Sequence, residues 1–290
     1  MQLKKNTWYH LWAIGVILIW GTTLSSTKTL LLNGLNNNSI MFYRFLIAYL
    51  CLLALNHKQL FARSLRDELL LMAAGIFGGS LYFICEIAAL QRANVADVSL
   101  LLSMSPIGTM ILSWIFLKSK VTAKMVVGIL IAMCGVVLVI LNGSMSLEFN
   151  PLGYALALCG ALSVSCYLTL VNRVEGYAPL FMTRKVFFYG LVTMLPTFLD
   201  TPLVYDVEIL AQPKIIFNLL FLGMIASCFC YYSWNAIIPR LGAIKLGSYS
   251  YFQPVVAMIT AAIFLSEPVS WAAIVGAALI IGGVWSIEKS

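Results

Sequence analysis

Charge is scarce in this sequence. Asp, Glu, Lys and Arg make up 10% of its 290 residues, against about a quarter in soluble globular chains, which excludes an ordinary water-soluble domain. Histidine is scarcer, with His10 and His57 the only two. There is no His-Glu-x-x-His, no Gly-x-Ser-x-Gly and no phosphate-cradling glycine loop after a strand. An enzyme would need a nucleophile–base pair or a metal cluster in the apolar runs, so neither catalysis nor a cofactor is expected. The seven cysteines are odd in number, lack Cys-x-x-Cys and all fall within apolar runs. They read as small packing residues, not as disulfides or metal ligands. Apolar–polar alternation is missing too, which excludes a membrane β-barrel.

What is there is mostly apolar: 61% hydrophobic residues and a mean hydropathy of +0.95. Runs of about the ~20 residues that cross a ~30 Å hydrocarbon layer as a helix recur at 9–31, 39–56, 69–90, 97–117, 122–141, 151–171, 181–199, 214–238, 245–265 and 269–287. The pattern predicts an all-α polytopic membrane protein of ten transmembrane helices. No small-residue cleavage site follows the first run, so it is expected to be a retained helix. The net charge of +7 does not point to nucleic acid, because the basic residues sit at span ends. With the N-terminus inside, Lys and Arg crowd the inner loops, as in Lys58/Arg63/Arg66 and Lys118/Lys120/Lys124, while the outer loops hold Arg92 and Lys214. The positive-inside rule then places both termini in the cytoplasm, and the protein is expected in the plasma (inner) membrane.

The two halves repeat each other. At a constant offset of 148 residues and without a gap, Gly75 aligns with Gly223, Arg92 with Arg240, Pro106 with Pro254, Gly128 with Gly276 and Gly135 with Gly283. Five spans per copy is an odd number, so the second copy must enter the membrane from the opposite side. The expected units are residues 1–143 and 144–290, two inverted five-helix repeats. Inverted repeats are the usual frame of secondary transporters, in which the halves expose a midplane site alternately. A passive channel or a non-transporting scaffold is the alternative. A scaffold has no need of matched halves, and a pore usually shows a ring of like groups.

The stretch Trp20-Gly-Thr-Thr-Leu-Ser-Ser-Thr-Lys28, the Tyr43-Arg-Phe45 triplet, the mid-span prolines Pro106 and Pro254, and Phe264-Leu-Ser-Glu-Pro-Val-Ser270 together resemble the EamA-like branch of the drug/metabolite transporter superfamily. The resemblance covers essentially the whole chain. It departs at Ser119, where the second half has Glu267. It implies a ten-helix bundle that exports or exchanges small metabolites such as amino acids, with a homodimer as one possible assembly.

One carboxylate stands in the oil. Steps of four and three residues from Gly75 give Gly79, Tyr82, Glu86 and Ala89 on one helical stripe, and Gly75-x-x-x-Gly79 lets another backbone come close. Glu86 is thereby expected on the protein side of its helix. An acidic residue at mid-membrane costs about 2.5–3.5 kcal/mol and each Leu, Ile or Phe returns roughly 0.3–0.6. The apolar residues of 69–90 are numerous enough to carry it. Two readings stay open. Glu86 lines a cavity, where it binds a cationic group or carries a coupling proton, or it forms a structural ion pair with Lys28 or Arg44, either of which could equally meet a substrate carboxylate. The second half answers Glu86 with Trp234, followed by Tyr232 beside it and by Tyr249, Tyr251 and Gln253 in the ninth span. Together with Trp20 and Tyr82 these are the candidate substrate-binding residues, a polar wall facing an aromatic one. Pro106 and Pro254 are expected to kink their helices, because each lacks an N–H and clashes with the preceding turn.

Overall fold

The computed structural model describes residues 2–90, 92, 95–141, 150–256, 259 and 269–290. Among the described residues the chain is helical and has no strand. The order is α1 (Gln2–Leu32), α2 (Asn37–Leu55), α3 (Leu65–Ala89), α4 (Val95–Leu102), α5 (Ser105–Leu117), α6 (Ala123–Leu141), α7 (Pro151–Arg173), α8 (Pro179–Met194), the short α9 (Val207–Leu210), α10 (Pro213–Leu241), α11 (Ala243–Ser248) and α12 (Trp271–Glu288). Among the described residues α2, α3, the stretch Leu100–Leu117, α7, α10 and α12 are long and apolar enough to cross a membrane, and the shorter apolar stretch Ala123–Val139 lies in α6.

Local chemistry sets where several of these helices begin. Asn36 Oδ1 accepts from Ser39 N at 2.8 Å ahead of α2, Ser64 Oγ from Asp67 N at 3.1 Å ahead of α3, Asn150 Oδ1 from Gly153 N at 2.9 Å ahead of α7, and Ser270 Oγ from Ala273 N at 3.1 Å ahead of α12. Each answers an N–H that the first helical turn leaves without a partner. Pro151, Pro179 and Pro213 stand in first turns, where a missing N–H has no consequence.

Two spans are interrupted beside the prolines expected to kink them. The fourth breaks at residues 103–104, and Pro106 sits in the first turn of α5 rather than inside a bent helix. The ninth passes from α11 through a 3₁₀ turn at Tyr249–Phe252 directly ahead of Pro254. The proline thus starts a new helical segment in each case, because its ring tolerates the first turn and not the interior. In α3 the residues Ile76–Leu81 widen into a π-type turn, and in α10 the residues Phe221–Phe229 do the same. The Phe264–Ser270 motif falls almost wholly outside the described residues.

Packing follows the small residues. α6 and α12 run antiparallel in close contact, with Gly128 against Gly283 O and Gly135 against Gly276 O. α2 and α8 meet α3 and α10 around Phe45, Phe83, Phe187 and Cys228. A larger core joins α1, α7, α8, α10 and α11 through Val16, Ile17, Tyr167, Phe181, Trp234 and Leu246. The outer surface carries Trp114, Phe217 and Trp285 at 60–71% exposure, a belt that lipid covers in a multi-pass membrane protein.

Candidate functional site

A cavity of about 270 Å³ opens between the helices. Its wall runs from Thr27 and Asn37, near the turn joining α1 to α2, past Trp20, Arg44, Tyr82 and Glu86, to Tyr167, Tyr231, Trp234, Ser250 and Gln253. Residues of α1 to α5 meet residues of α7, α10 and the ninth-span break around it.

Two charges face this space, and each is held by a neutral partner. Arg44, 7% exposed, gives its Nε–H to Ser227 Oγ at 2.6 Å, and its guanidinium lies 4.9 Å from the Phe83 ring centroid. Glu86 Oε1 accepts from Tyr82 Oη–H at 3.0 Å. The i,i+4 spacing that put Tyr82 and Glu86 on one stripe makes this bond possible. Among the described residues Arg44 and Glu86 form no ion pair within 4.0 Å; the pairs there are His10–Glu288 at 3.1 Å and Lys185–Glu68. Both side chains thus line one cavity without an ion pair between them.

The opposite wall is aromatic. Trp20 stands edge-on to Tyr231 at 5.4 Å between ring centroids and tilted against Trp234 at 4.9 Å. Its Nε1–H donates to Ala226 O at 2.8 Å. Tyr231 Oη–H donates to Gly78 O at 3.3 Å, and Ser163 Oγ–H to Phe77 O at 2.7 Å. These acceptors all lie in the two π-type turns. A π turn shifts the backbone ladder and leaves a carbonyl over, so the side chains that pack there must supply donors. Tyr167 donates to Asn235 Oδ1 at 2.7 Å, and Asn235 passes an N–H to Thr183 Oγ1 at 2.9 Å. Gly78 lies against the Tyr167 ring, where a Cβ would come within 2.3 Å of Cδ2.

Of the residues singled out in the sequence, Trp20, Arg44, Tyr82, Glu86, Trp234, Gln253 and Pro254 stand at the cavity wall. Tyr232 is not among the lining residues. Tyr249 bonds His10 Nδ1 at 2.6 Å, and Tyr251 is fully buried between α6 and α12, its hydroxyl without a partner among the described residues. The Lys28 side chain lies outside the described residues. Sequence reading did not single out Tyr167, Thr23, Asn37 or Ser105, which also line the cavity. A tyrosine or threonine inside an apolar helix gives no signal that separates a cavity wall from ordinary packing.

The profile of the EamA-like transporter family matches residues 7–141 and again residues 151–288. The chain belongs to the EamA-like transporter family. Among its EamA-like relatives, a probable amino-acid metabolite efflux pump of Salmonella typhimurium is 26% identical over 286 residues, 94% of this chain and 92% of that protein. The aromatic amino acid exporter YddG of Salmonella typhimurium is 30% identical over 210 residues, 67% of each chain. An uncharacterized transporter of Archaeoglobus fulgidus is 27% identical over 218 residues, 75% of this chain and 76% of that one. A solved protein structure shares the fold at a TM-score of 0.81 with 20% identity, over 96% of this chain and 97% of the other. These findings make the EamA-like chain a multi-pass membrane transporter.

Proposed function

We propose that the protein is a secondary transporter that exports small metabolites carrying both a cationic and an anionic group, amino acids or related compounds among them, by alternating access. The observation that carries this reading is the presence of Arg44 and Glu86 at one cavity, each bonded to a neutral hydroxyl and without an ion pair between them. Arg44 would meet a substrate carboxylate and Glu86 an ammonium, with Trp20, Tyr231 and Trp234 against the remainder. The relatives named as an amino-acid metabolite efflux pump and an aromatic amino acid exporter support that choice of substrate.

The alternating-access part rests on ten spans in two inverted repeats, residues 1–143 and 144–290, with both termini cytoplasmic. The doubled family match and three equivalences at the 148-residue offset support it. The family profile matches twice. The π turn Ile76–Leu81 corresponds to 224–229 within the second π turn. Gly78 and Ala226, whose carbonyls take the tyrosine and tryptophan donors, are equivalent positions. The Gly128–Gly283 and Gly135–Gly276 contacts exchange into each other when the halves are swapped. Glu86 as a carrier of coupling protons belongs to the same proposal.

The test is thermal stability of purified protein against a panel of amino acids and related metabolites, for wild type, Glu86→Gln and Arg44→Gln together. A solute that raises the midpoint of wild type should fail to do so for either variant. Loss of a charged hydrogen bond of about 1.5–3 kcal/mol corresponds to roughly 10- to 150-fold weaker binding. Equal stabilisation of all three proteins would remove both residues from the site. Counter-substrate-stimulated, saturable flux in liposomes separates a carrier from a pore or scaffold.

A further inference from the structure

A second hollow, of about 580 Å³, lies on the outer surface where α5 ends, lined by Trp114, Ile115, Lys118, Ser119, Lys120 and Val121. Lys118 closes α5 in the left-handed region, with φ 51°, and its backbone N–H returns to Ser113 O. This region disfavours residues bearing a Cβ, so a sharp turn is kept here although glycine would suit it better. Thr122 Oγ1 then caps α6 by accepting from Met125 N at 3.2 Å. The result is a rigid link that presents two lysines within four residues.

Among the described residues no acid pairs with these charges. Lys118, Lys120 and Lys124 are exposed and, among the described residues, form no ion pair. The sequence has no Asp or Glu between Asp97 and Glu148. On the neighbouring α12, Glu288 is engaged by His10 at 3.1 Å. Directly beside the lysines the surface turns apolar: Ile111, Trp114 and Ile115 are 47–62% exposed on α5. A basic hollow that continues into a lipid-facing apolar stripe suits a molecule with an anionic head and hydrocarbon chains. It does not suit a nucleic acid or an acidic protein.

We propose that this hollow binds the phosphate headgroup of an anionic phospholipid, with Lys118 and Lys120 on the phosphate and the acyl chains along Ile111, Trp114 and Ile115. The second half carries no lysines at the equivalent positions, where Ser266, Pro268 and Ala272 stand, so the site belongs to one half alone. A lysine near an anionic membrane surface is worth about fivefold in affinity, hence roughly 25-fold for the pair.

Native mass spectrometry of the protein released from nanodiscs of mixed phosphatidylglycerol and phosphatidylcholine reads the preference directly. Wild type and Lys58→Gln, changed in another loop, should retain phosphatidylglycerol, and the double variant Lys118→Gln, Lys120→Gln should lose most of that preference. An undiminished preference in the double variant overturns the site. A second measurement needs no variant: the unfolding midpoint of wild type in detergent with added phosphatidylglycerol, phosphatidylcholine or glycerol phosphate. A rise with phosphatidylglycerol alone supports the lipid. An equal rise with glycerol phosphate reassigns the hollow to free phosphate and overturns the lipid, and no rise with any of them overturns the site.

Discussion

Trp20 shows how a single side chain serves both fold and cavity. Its ring stands between Tyr231 and Trp234, and its Nε1–H satisfies Ala226 O at 2.8 Å inside a π-type turn. Phenylalanine at this position would keep most of the apolar contact and leave that carbonyl without its donor. Trp20→Phe is therefore expected to destabilise the protein by about 1–3 kcal/mol, the penalty of an unsatisfied buried polar group, read as a lowered thermal midpoint. Trp8→Phe, at a position 65% exposed, should leave the midpoint within about 0.5 kcal/mol of wild type. Matching midpoints for the two variants would remove the carbonyl bond from the account. Legibility at this scale depended on contrast. Glu86 was visible because a carboxylate is conspicuous among apolar residues, and Arg44 and Lys28 for the same reason. Tyr167 was not, because a tyrosine in an apolar run reads equally as packing. In the aromatic run of the ninth span, Gln253 lines the cavity and Tyr249 and Tyr251 do not, since a 3₁₀ turn at Tyr249–Phe252 changes which side chains share a face.

Between elements, the packing of α6 on α12 depends on glycines that meet each other's backbones. A Cβ at Gly135 would stand 2.5 Å from Gly276 O and 2.8 Å from Ile280 Cγ1, whereas nothing lies within 4 Å of one at Gly282 on the same pair of helices. Gly135→Ala must then push the helices apart or strain them, at about 1–3 kcal/mol as for other overpacked sites. Gly282→Ala should be neutral or slightly stabilising, since alanine is the better helix former by about 1 kcal/mol. Thermal unfolding of the two variants separates them, and equal destabilisation would contradict the close contact. The sequence showed these glycines as matched pairs, but not that each would pack on the partner of the other. That is a property of how the halves dock and leaves no trace in either half alone. The π turns were illegible for a different reason. One extra residue per turn leaves an apolar helix apolar on every face, so no periodicity records it. The prolines are legible as interruptions, and the chain breaks in the turn ahead of each, so that each stands in a first turn.

Over the whole molecule, the cavity reaches toward the α1–α2 turn at Thr27 and Asn37, while side-chain bonds tie the opposite end shut. There His10 Nε2 pairs with Glu288 Oε1 at 3.1 Å, His10 Nδ1 meets Tyr249 Oη at 2.6 Å, and Lys245 Nζ–H donates to Glu288 O at 2.6 Å. These contacts join α1, α12, α11 and the 3₁₀ turn that contains Ser250 and precedes Gln253, both at the cavity wall. In the orientation we propose, they seal the cytoplasmic side of an outward-directed cavity, and alternating access requires them to part. The His10–Tyr249 hydrogen bond of about 0.5–1.5 kcal/mol and the partly exposed His10–Glu288 contact of roughly 0–1 kcal/mol amount to about 0.5–2.5 kcal/mol. The Lys245 bond goes to the Glu288 main chain and survives a side-chain change. Removing the two His10 contacts should raise the population of the inward-open form by about 2- to 70-fold. The variant His10→Ala, Glu288→Gln puts this to measurement. A cysteine placed at Thr23 on the cavity wall, in a background without the exposed Cys134 and Cys159, is labelled by a membrane-impermeant maleimide supplied on the side of the termini. Labelling from that side should quicken about 2- to 70-fold in the double variant. An unchanged rate would mean that the seal lies elsewhere, with Lys185–Glu68 and the bonds from Arg184 to Asn56 O and Gln59 O as the contacts left to hold the closed face.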